Sequence, residues 1–148
     1  MNLFSEAELI SFGRQIGEKL RQKIAKQTAA TQIIELVGDV GAGKTTLTRG
    51  IAEGLGVKES ITSPSFTISK RYAFLAGKHS ATLVHYDFYR LSDPGLMTED
   101  LAESISTPNT VVVIEWGDSV NDILPDNHHV YQISVNDDGS RTVEEATS

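Results

Sequence analysis

The stretch that most constrains this chain is Gly38-Asp39-Val40-Gly41-Ala42-Gly43-Lys44-Thr45. It reads G-x-x-x-x-G-K-T and stands between an apolar run, Gln32 to Val37, and a helix-like run, Lys44 to Gly56. Strand, glycine-rich loop and helix in that order make a phosphate cradle. Glycines let backbone N–H groups turn inward around phosphate oxygens, where side chains would block them. The helix start adds unpaired N–H donors and the positive end of its dipole. Lys44 brings a full positive charge able to reach the β- and γ-phosphates, and Thr45 brings a hydroxyl for Mg²⁺. A chance match would also have to fall, by accident, between a strand and a helix.

The rest of the chain is read around that loop. Its 148 residues suit one domain spanning 1–148. There are no cysteines, which excludes disulfides and thiolate metal sites. The start, MNLFSEAELISFG, lacks the pattern of a signal peptide, and no apolar run is long enough to cross a bilayer, so a cytoplasmic protein with no membrane partner is expected. A net charge of −7 argues against strong nucleic-acid binding by this chain alone. Lys19, Arg21, Lys23 and Lys26 are the nearest thing to a basic face, and a solvated helix end with dipole-matched charges explains them as well.

Ser5 and Glu8 form a capping-box pattern, and Leu9, Phe12, Ile16, Leu20 and Ile24 recur at helical spacing, predicting an amphipathic helix from Ser5 to about Lys26. Gly13 and Gly17 share one of its faces and suit close approach of another element. Ile33, Ile34, Leu36 and Val37 predict a central strand covered on both sides. Leu47, Ile51 and Leu55 give the loop's helix a buried stripe that Gly54 or Gly56 ends. Residues 59–67, ESITSPSFT, form an extended loop crowded with hydroxyls, since Pro64 keeps Ser63 out of the helical region. Two strands follow, Phe66 to Phe74 and Ala81 to Arg90, joined through Leu75 to Ser80. A short helix runs from Asp93 to about Ser104, a strand covers Val111 to Trp116, and a helical turn spans Asp118 to Leu124. A terminal hairpin pairs Val130–Val135 with Arg141–Glu145 around Asp138-Gly139. Arg141 stands in that hairpin, with no spacing that ties it to the loop.

A phosphate cradle alone hydrolyses nothing: an acid near the metal and a group that handles water are needed as well. In open α/β sheets ligands sit beyond the carboxyl ends of the strands, so an acid ending an apolar parallel strand lands beside the loop. Glu115 is so placed, where Asp is the more usual residue; the competing explanation is a charge that merely ends a strand. Trp116 follows instead of a second acid, and is either core or site. Asp87 is the best candidate for handling water. Alternation puts His85, Asp87 and Tyr89 on one face, and a structural pairing of Asp87 with Arg90 or His85 is the alternative. His85 is a poor magnesium ligand, because Mg²⁺ prefers oxygen.

Taken together, GDVGAGKTT at 38–46, TSPSFT at 62–67, HYDFYRL at 85–91 and Glu115-Trp116 resemble the TsaE family, the small ATPases of bacterial tRNA threonylcarbamoyladenosine biosynthesis. Ser65 stands where that family usually has Thr. The resemblance implies an α/β, three-layer P-loop NTPase-like fold, a mixed and mostly parallel sheet between helices with antiparallel hairpins. It implies that Gly41, Ala42, Gly43, Lys44, Thr45 and Thr46 hold the phosphates of ATP. It implies that Thr45 and Glu115 coordinate Mg²⁺, that Asp87 serves hydrolysis and that Trp116 is needed for activity. Thr62, Ser63 and Ser65 would belong to a switch sensing the γ-phosphate. The implied partners are TsaD and TsaB, which modify adenosine 37 of tRNAs reading codons that begin with A, so contact with tRNA would be indirect. A small-molecule kinase and a nucleotide-gated binding module remain as alternatives. The first lacks an arginine-rich lid segment, and the second differs only in turnover. A GTPase is disfavoured, since no N-K-x-D motif is present.

Overall fold

The structure, a computed structural model, describes residues 2–26, 30–39, 41–62, 69–88, 96–126 and 128–147. Elements run in the order β1 (Asn2–Phe4), α1 (Glu6–Lys26), β2 (Gln32–Val37), α2 (Lys44–Leu55), β3 (Ser69–Ala76), β4 (His79–Asp87), α3 (Leu96–Ile105), β5 (Thr110–Glu115), a 3₁₀ helix (Gly117–Ile123), β6 (His129–Val135) and β7 (Arg141–Thr147). The strands form one seven-stranded sheet in the order β1-β7-β6-β2-β5-β4-β3. Its centre, β6-β2-β5-β4, is parallel, and the hairpins β3–β4 and β6–β7 add antiparallel strands on either side. This is the mixed, mostly parallel α/β architecture the sequence implies.

Burial explains why the central strands are so apolar. All six residues of β5 are buried. Alternate residues feed two cores on opposite faces of the sheet. Val111 and Val113 join Leu36, Leu47, Ile51 and Leu83 under α1 and α2. Val112 and Ile114 join Val84, Tyr86 and Leu101 under α3 and the 3₁₀ helix. Helices thus cover both faces, giving three layers.

The capping box forms as predicted. The Glu8 backbone N–H donates to Ser5 Oγ at 3.2 Å, and the Ser5 N–H donates to Glu8 Oε1 at 3.0 Å. The two glycines of α1 meet two of α2. A Cβ on Gly13 would lie 2.6 Å from the Leu47 carbonyl oxygen, and one on Gly17 would lie 2.2 Å from that of Ile51. Reciprocally, Cβ atoms on Gly50 and Gly54 would strike the carbonyls of Ile10 and Arg14 at 2.3 and 2.1 Å. The helices therefore cross backbone against backbone. Gly56, in the left-handed region at φ 89°, ends α2.

Several boundaries differ from expectation, among them the end of β4, which stops at Asp87 with Phe88 already outside the strand. The hairpin between β3 and β4 turns at Gly77-Lys78, tighter than the predicted Leu75–Ser80 connection, because Leu75 pairs with Ser80 and Ala76 with His79. The strand of β5 stops at Glu115, and Trp116 turns away in the left-handed region at φ 59°. Strand β1, which had no signal of its own, forms by pairing Asn2, Leu3 and Phe4 with Val143, Thr142 and Arg141. Arg21 is more than a solvated helix-end charge, since its Nε donates to the Leu75 carbonyl at 2.9 Å. Among the described residues, no helix is long and apolar enough to cross a membrane.

Candidate functional site

The glycine-rich loop follows β2 and ends in the first turn of α2. Gly41 (φ 81°) and Gly43 (φ 115°) both adopt the left-handed region, which a side chain would strain. The Ala42 N–H closes a turn onto the Asp39 carbonyl at 3.0 Å. Among the described residues, a Cβ at Gly41 would meet nothing within 4 Å.

Beside this loop lies a cleft of about 310 Å³. Its lining includes Gly41, Gly43, Lys44, Thr45 and Thr46 from the loop and α2. Asp87, Glu115 and Trp116 come from the ends of β4 and β5, and Glu6 and Arg141 from the start of α1 and β7. Sheet register brings the acids there. Leu36 pairs with Glu115 across β2–β5, and Asp87 pairs with Glu115 across β4–β5. Both acids therefore end parallel strands next to the loop, on the face covered by α2, where Val113 and Leu83 lie two and four residues before them.

Lys44 is the electrostatic centre of the cleft. It is 5% exposed, and its ammonium donates to the carbonyls of Gly38 and of Asp39, the latter at 2.9 Å. Its Nζ also sits 4.2 Å from the centre of the Trp116 ring, a cation–π contact. Burial pushes the lysine below its ordinary value, while the charges of Glu115, Asp87 and Asp39 pull it back up. Trp116 is half-buried and packs against the core beneath α3, so it serves both the core and the cleft.

Glu115 is more than a charge at a strand end. It is buried, and its Oε2 lies 2.6 Å from Nε2 of His85. His85 thus meets Glu115 and not Asp87, the alternative partner weighed for it; the other alternative, Arg90, lies outside the described residues, as does Tyr89. Ala42 is buried with its carbonyl turned to Arg141, whose Nε donates to it at 2.8 Å. Thr62 is exposed, accepts from Lys70 Nζ at 3.3 Å and is not among the described residues lining the cleft. Ser63 and Ser65 lie outside the described residues. Sequence reasoning missed Glu6 and left Arg141 without a role; only the pairing of β1 with β7 and of β7 with β6 brings those ends of the chain to the loop.

The side-chain oxygens lining the cleft are the hydroxyls of Thr45 and Thr46 and the carboxylates of Glu6, Asp87 and Glu115, hard oxygens suited to Mg²⁺. The described residues contain no group of three or more His, Cys, Asp or Glu able to hold a metal ion by themselves.

Comparison with known proteins gives one answer. The family described as "Threonylcarbamoyl adenosine biosynthesis protein TsaE" matches residues 5–143. The TsaE protein of Haemophilus influenzae is 33% identical over 139 residues, covering 94% of this chain and 83% of its own length. That of Streptomyces coelicolor is 44% identical over 100 residues, covering 68% of this chain and 66% of its own length. That of Bacillus subtilis is 38% identical over 117 residues, 76% of this chain and 70% of its own. Among solved structures, Bacillus subtilis YdiB superposes with a TM-score of 0.61 at 28% identity, covering 94% of this chain and 81% of that one. A family match across nearly the whole chain, on a shared fold, means that this chain belongs to the TsaE family.

Proposed function

We propose that this chain binds ATP with Mg²⁺ and hydrolyses it slowly, as the accessory ATPase of the machinery that adds threonylcarbamoyl to adenosine 37 of tRNAs reading codons that begin with A. The single observation that carries this is the convergence of Lys44, Thr45, Asp87 and Glu115 on one cleft beside the glycine-rich loop.

The roles follow from position. Gly41 to Thr46 offer backbone N–H groups, and Lys44 its ammonium, to the phosphates. Lys44 rests on two loop carbonyls, contacts for which a phosphate oxygen would compete. Thr45 and Glu115 would be the protein's oxygen ligands for magnesium, which would supply neutralisation of the phosphates' negative charge. Asp87, beside Glu115 but on the next strand, orients water for attack or accepts its proton. Trp116 walls the site against Lys44. Thr62, Ser63 and Ser65 form the proposed γ-phosphate-sensing loop. The partners are TsaD and TsaB, with tRNA held by them rather than by this acidic chain.

The test is an ATPase assay with and without TsaD and TsaB. Magnesium-dependent turnover by the wild type, absent in Asp87→Ala and Glu115→Ala variants that still bind nucleotide, is the expected result. Normal hydrolysis by either variant overturns the assignment. Nucleotide binding without turnover under any condition would favour a gated binding module, and phosphate passed to a metabolite would favour a kinase.

A further inference from the structure

His85 has no exposed surface and does not line the cleft, yet it is polar and makes one side-chain hydrogen bond among the described residues, to Glu115. The two stand on neighbouring parallel strands. His85 is opposite Val113, so its ring lies one residue pair below Glu115 on the same face. Nε2 approaches Oε2 to 2.6 Å, with the side chains 0% and 4% exposed. Nδ1 of the same ring has no hydrogen-bond partner among the described residues. A carboxylate can only accept, and a buried N–H without an acceptor is costly, so the ring hydrogen belongs on Nε2 and is donated to Oε2.

A side chain present only to fill the core would not need that donor. On this face of β4 and β5, Leu83 and Val113 beside the ring are apolar and only Asp87 and Glu115 at the strand ends are charged, so an aliphatic residue would fill the space without burying a polar ring. What the imidazole adds is a fixed orientation for the carboxylate. With Oε2 engaged, Oε1 is the oxygen left for the cleft, and Glu115 no longer has to give up rotational freedom when it takes up a cation.

We propose that His85 is a positioning residue for the magnesium centre: it clamps Oε2 of Glu115 so that Oε1 is presented to the cation. This rests on the assignment of Glu115 as a magnesium ligand made above. Groups in this position around a metal ligand are commonly worth about 10–100-fold in metal affinity.

The experiment measures binding of a non-hydrolysable analogue, adenylyl imidodiphosphate, by calorimetry, in EDTA and across a magnesium titration. Three His85 variants and Glu115→Ala are compared with wild type, each checked for folding by its melting temperature. His85→Leu removes the donor, His85→Gln places an amide N–H near the position of Nε2, and His85→Asn stops short of it. The expected result is an approximately tenfold or greater rise in the magnesium concentration for half-saturation in the Leu and Asn variants. Affinity in EDTA should not change, and Gln should restore most of the magnesium response. If Leu does not fold, the Gln–Asn difference still decides. Equal magnesium dependence in wild type, Gln and Asn, with Glu115→Ala impaired, overturns the role of His85 alone. An unimpaired Glu115→Ala overturns the magnesium assignment and this proposal with it.

Discussion

Asp87 and Glu115 are register partners at the carboxyl ends of two adjacent parallel strands. The acids proposed to handle water and metal are therefore neighbours in space although 28 positions separate them in the chain. Their roles separate by isosteric substitution. Asp87→Asn should lower ATP turnover by about 10²–10⁴-fold while leaving magnesium–nucleotide affinity within a few-fold. Glu115→Gln should weaken the magnesium dependence of binding itself. Steady-state kinetics with parallel calorimetry reads both; a wild-type rate in Asp87→Asn removes that residue from the chemistry.

The contact between Lys44 and Trp116 makes an optical prediction. Trp116 is the only tryptophan, and its ring lies 4.2 Å from the lysine ammonium. Phosphates drawing that ammonium away should change the emission of Trp116 on addition of magnesium and a non-hydrolysable ATP analogue. Lys44→Ala should start from a different emission and respond less. Unchanged emission at calorimetrically verified saturation would show that the ammonium stays on the ring.

Lys44 also makes a prediction about pH. Burial holds it below the usual lysine value of 10.5, with Glu115, Asp87 and Asp39 opposing in part. The unfolded chain thus binds this proton more tightly than the folded chain, and stability contributed at this site rises as pH climbs through the folded value. Without nucleotide, the urea stability of wild type relative to Lys44→Met should therefore shift in favour of wild type between about pH 7 and about pH 10. A difference that stays flat or shrinks across that range would contradict the sign.

The crossing of α1 and α2 should tolerate no added carbon. Gly17→Ala gains about 1 kcal/mol of helix propensity but forces a methyl to within 2.2 Å of the Ile51 carbonyl oxygen. Overpacking of this kind costs about 1–3 kcal/mol and sometimes more, and here the obstacle is backbone rather than a flexible side-chain end. Net destabilisation is expected for Gly17→Ala and Gly54→Ala in urea unfolding. Neutral or stabilised variants would show that the helices can part cheaply.

A polar cluster fixes the other side of the sheet. The Tyr86 hydroxyl donates to Asp100 and lies 2.7 Å from Ser104 Oγ, and Arg71 donates to Asp100 at 3.1 Å. Tyr86→Phe should cost about 1–3 kcal/mol, because it leaves Asp100 and Ser104 short of a partner. Thermal and urea unfolding would measure it, and a loss below about 0.5 kcal/mol would mean that water replaces the hydroxyl freely.

Much of this was readable from local signals. The capping box, the glycine loop, the strand from Gln32 to Val37 and the stop at Gly56 are all set by residues within a few positions of one another. Glu115 could be placed because an apolar run ending in an acid has one sensible location in a parallel sheet. What could not be read depends on register between distant strands. The partner of His85 was open until β4 met β5, because alternation alone puts His85 and Asp87 on one face and says nothing of the neighbouring strand. Glu6 and Arg141 reach the cleft through pairings between the two ends of the sequence. Glu35, inside an otherwise apolar strand, gave no hint that His128 Nε2 would meet it at 2.9 Å, 93 positions away.

The glycine-lined crossing has a mechanical consequence. Where backbones touch there are no side chains to flex, so α1 and α2 cannot slide past each other independently. A displacement of α1 would therefore carry α2 with it, its amino end included. That end carries Lys44, so the position of α1 and the position of the cleft's buried ammonium are set together.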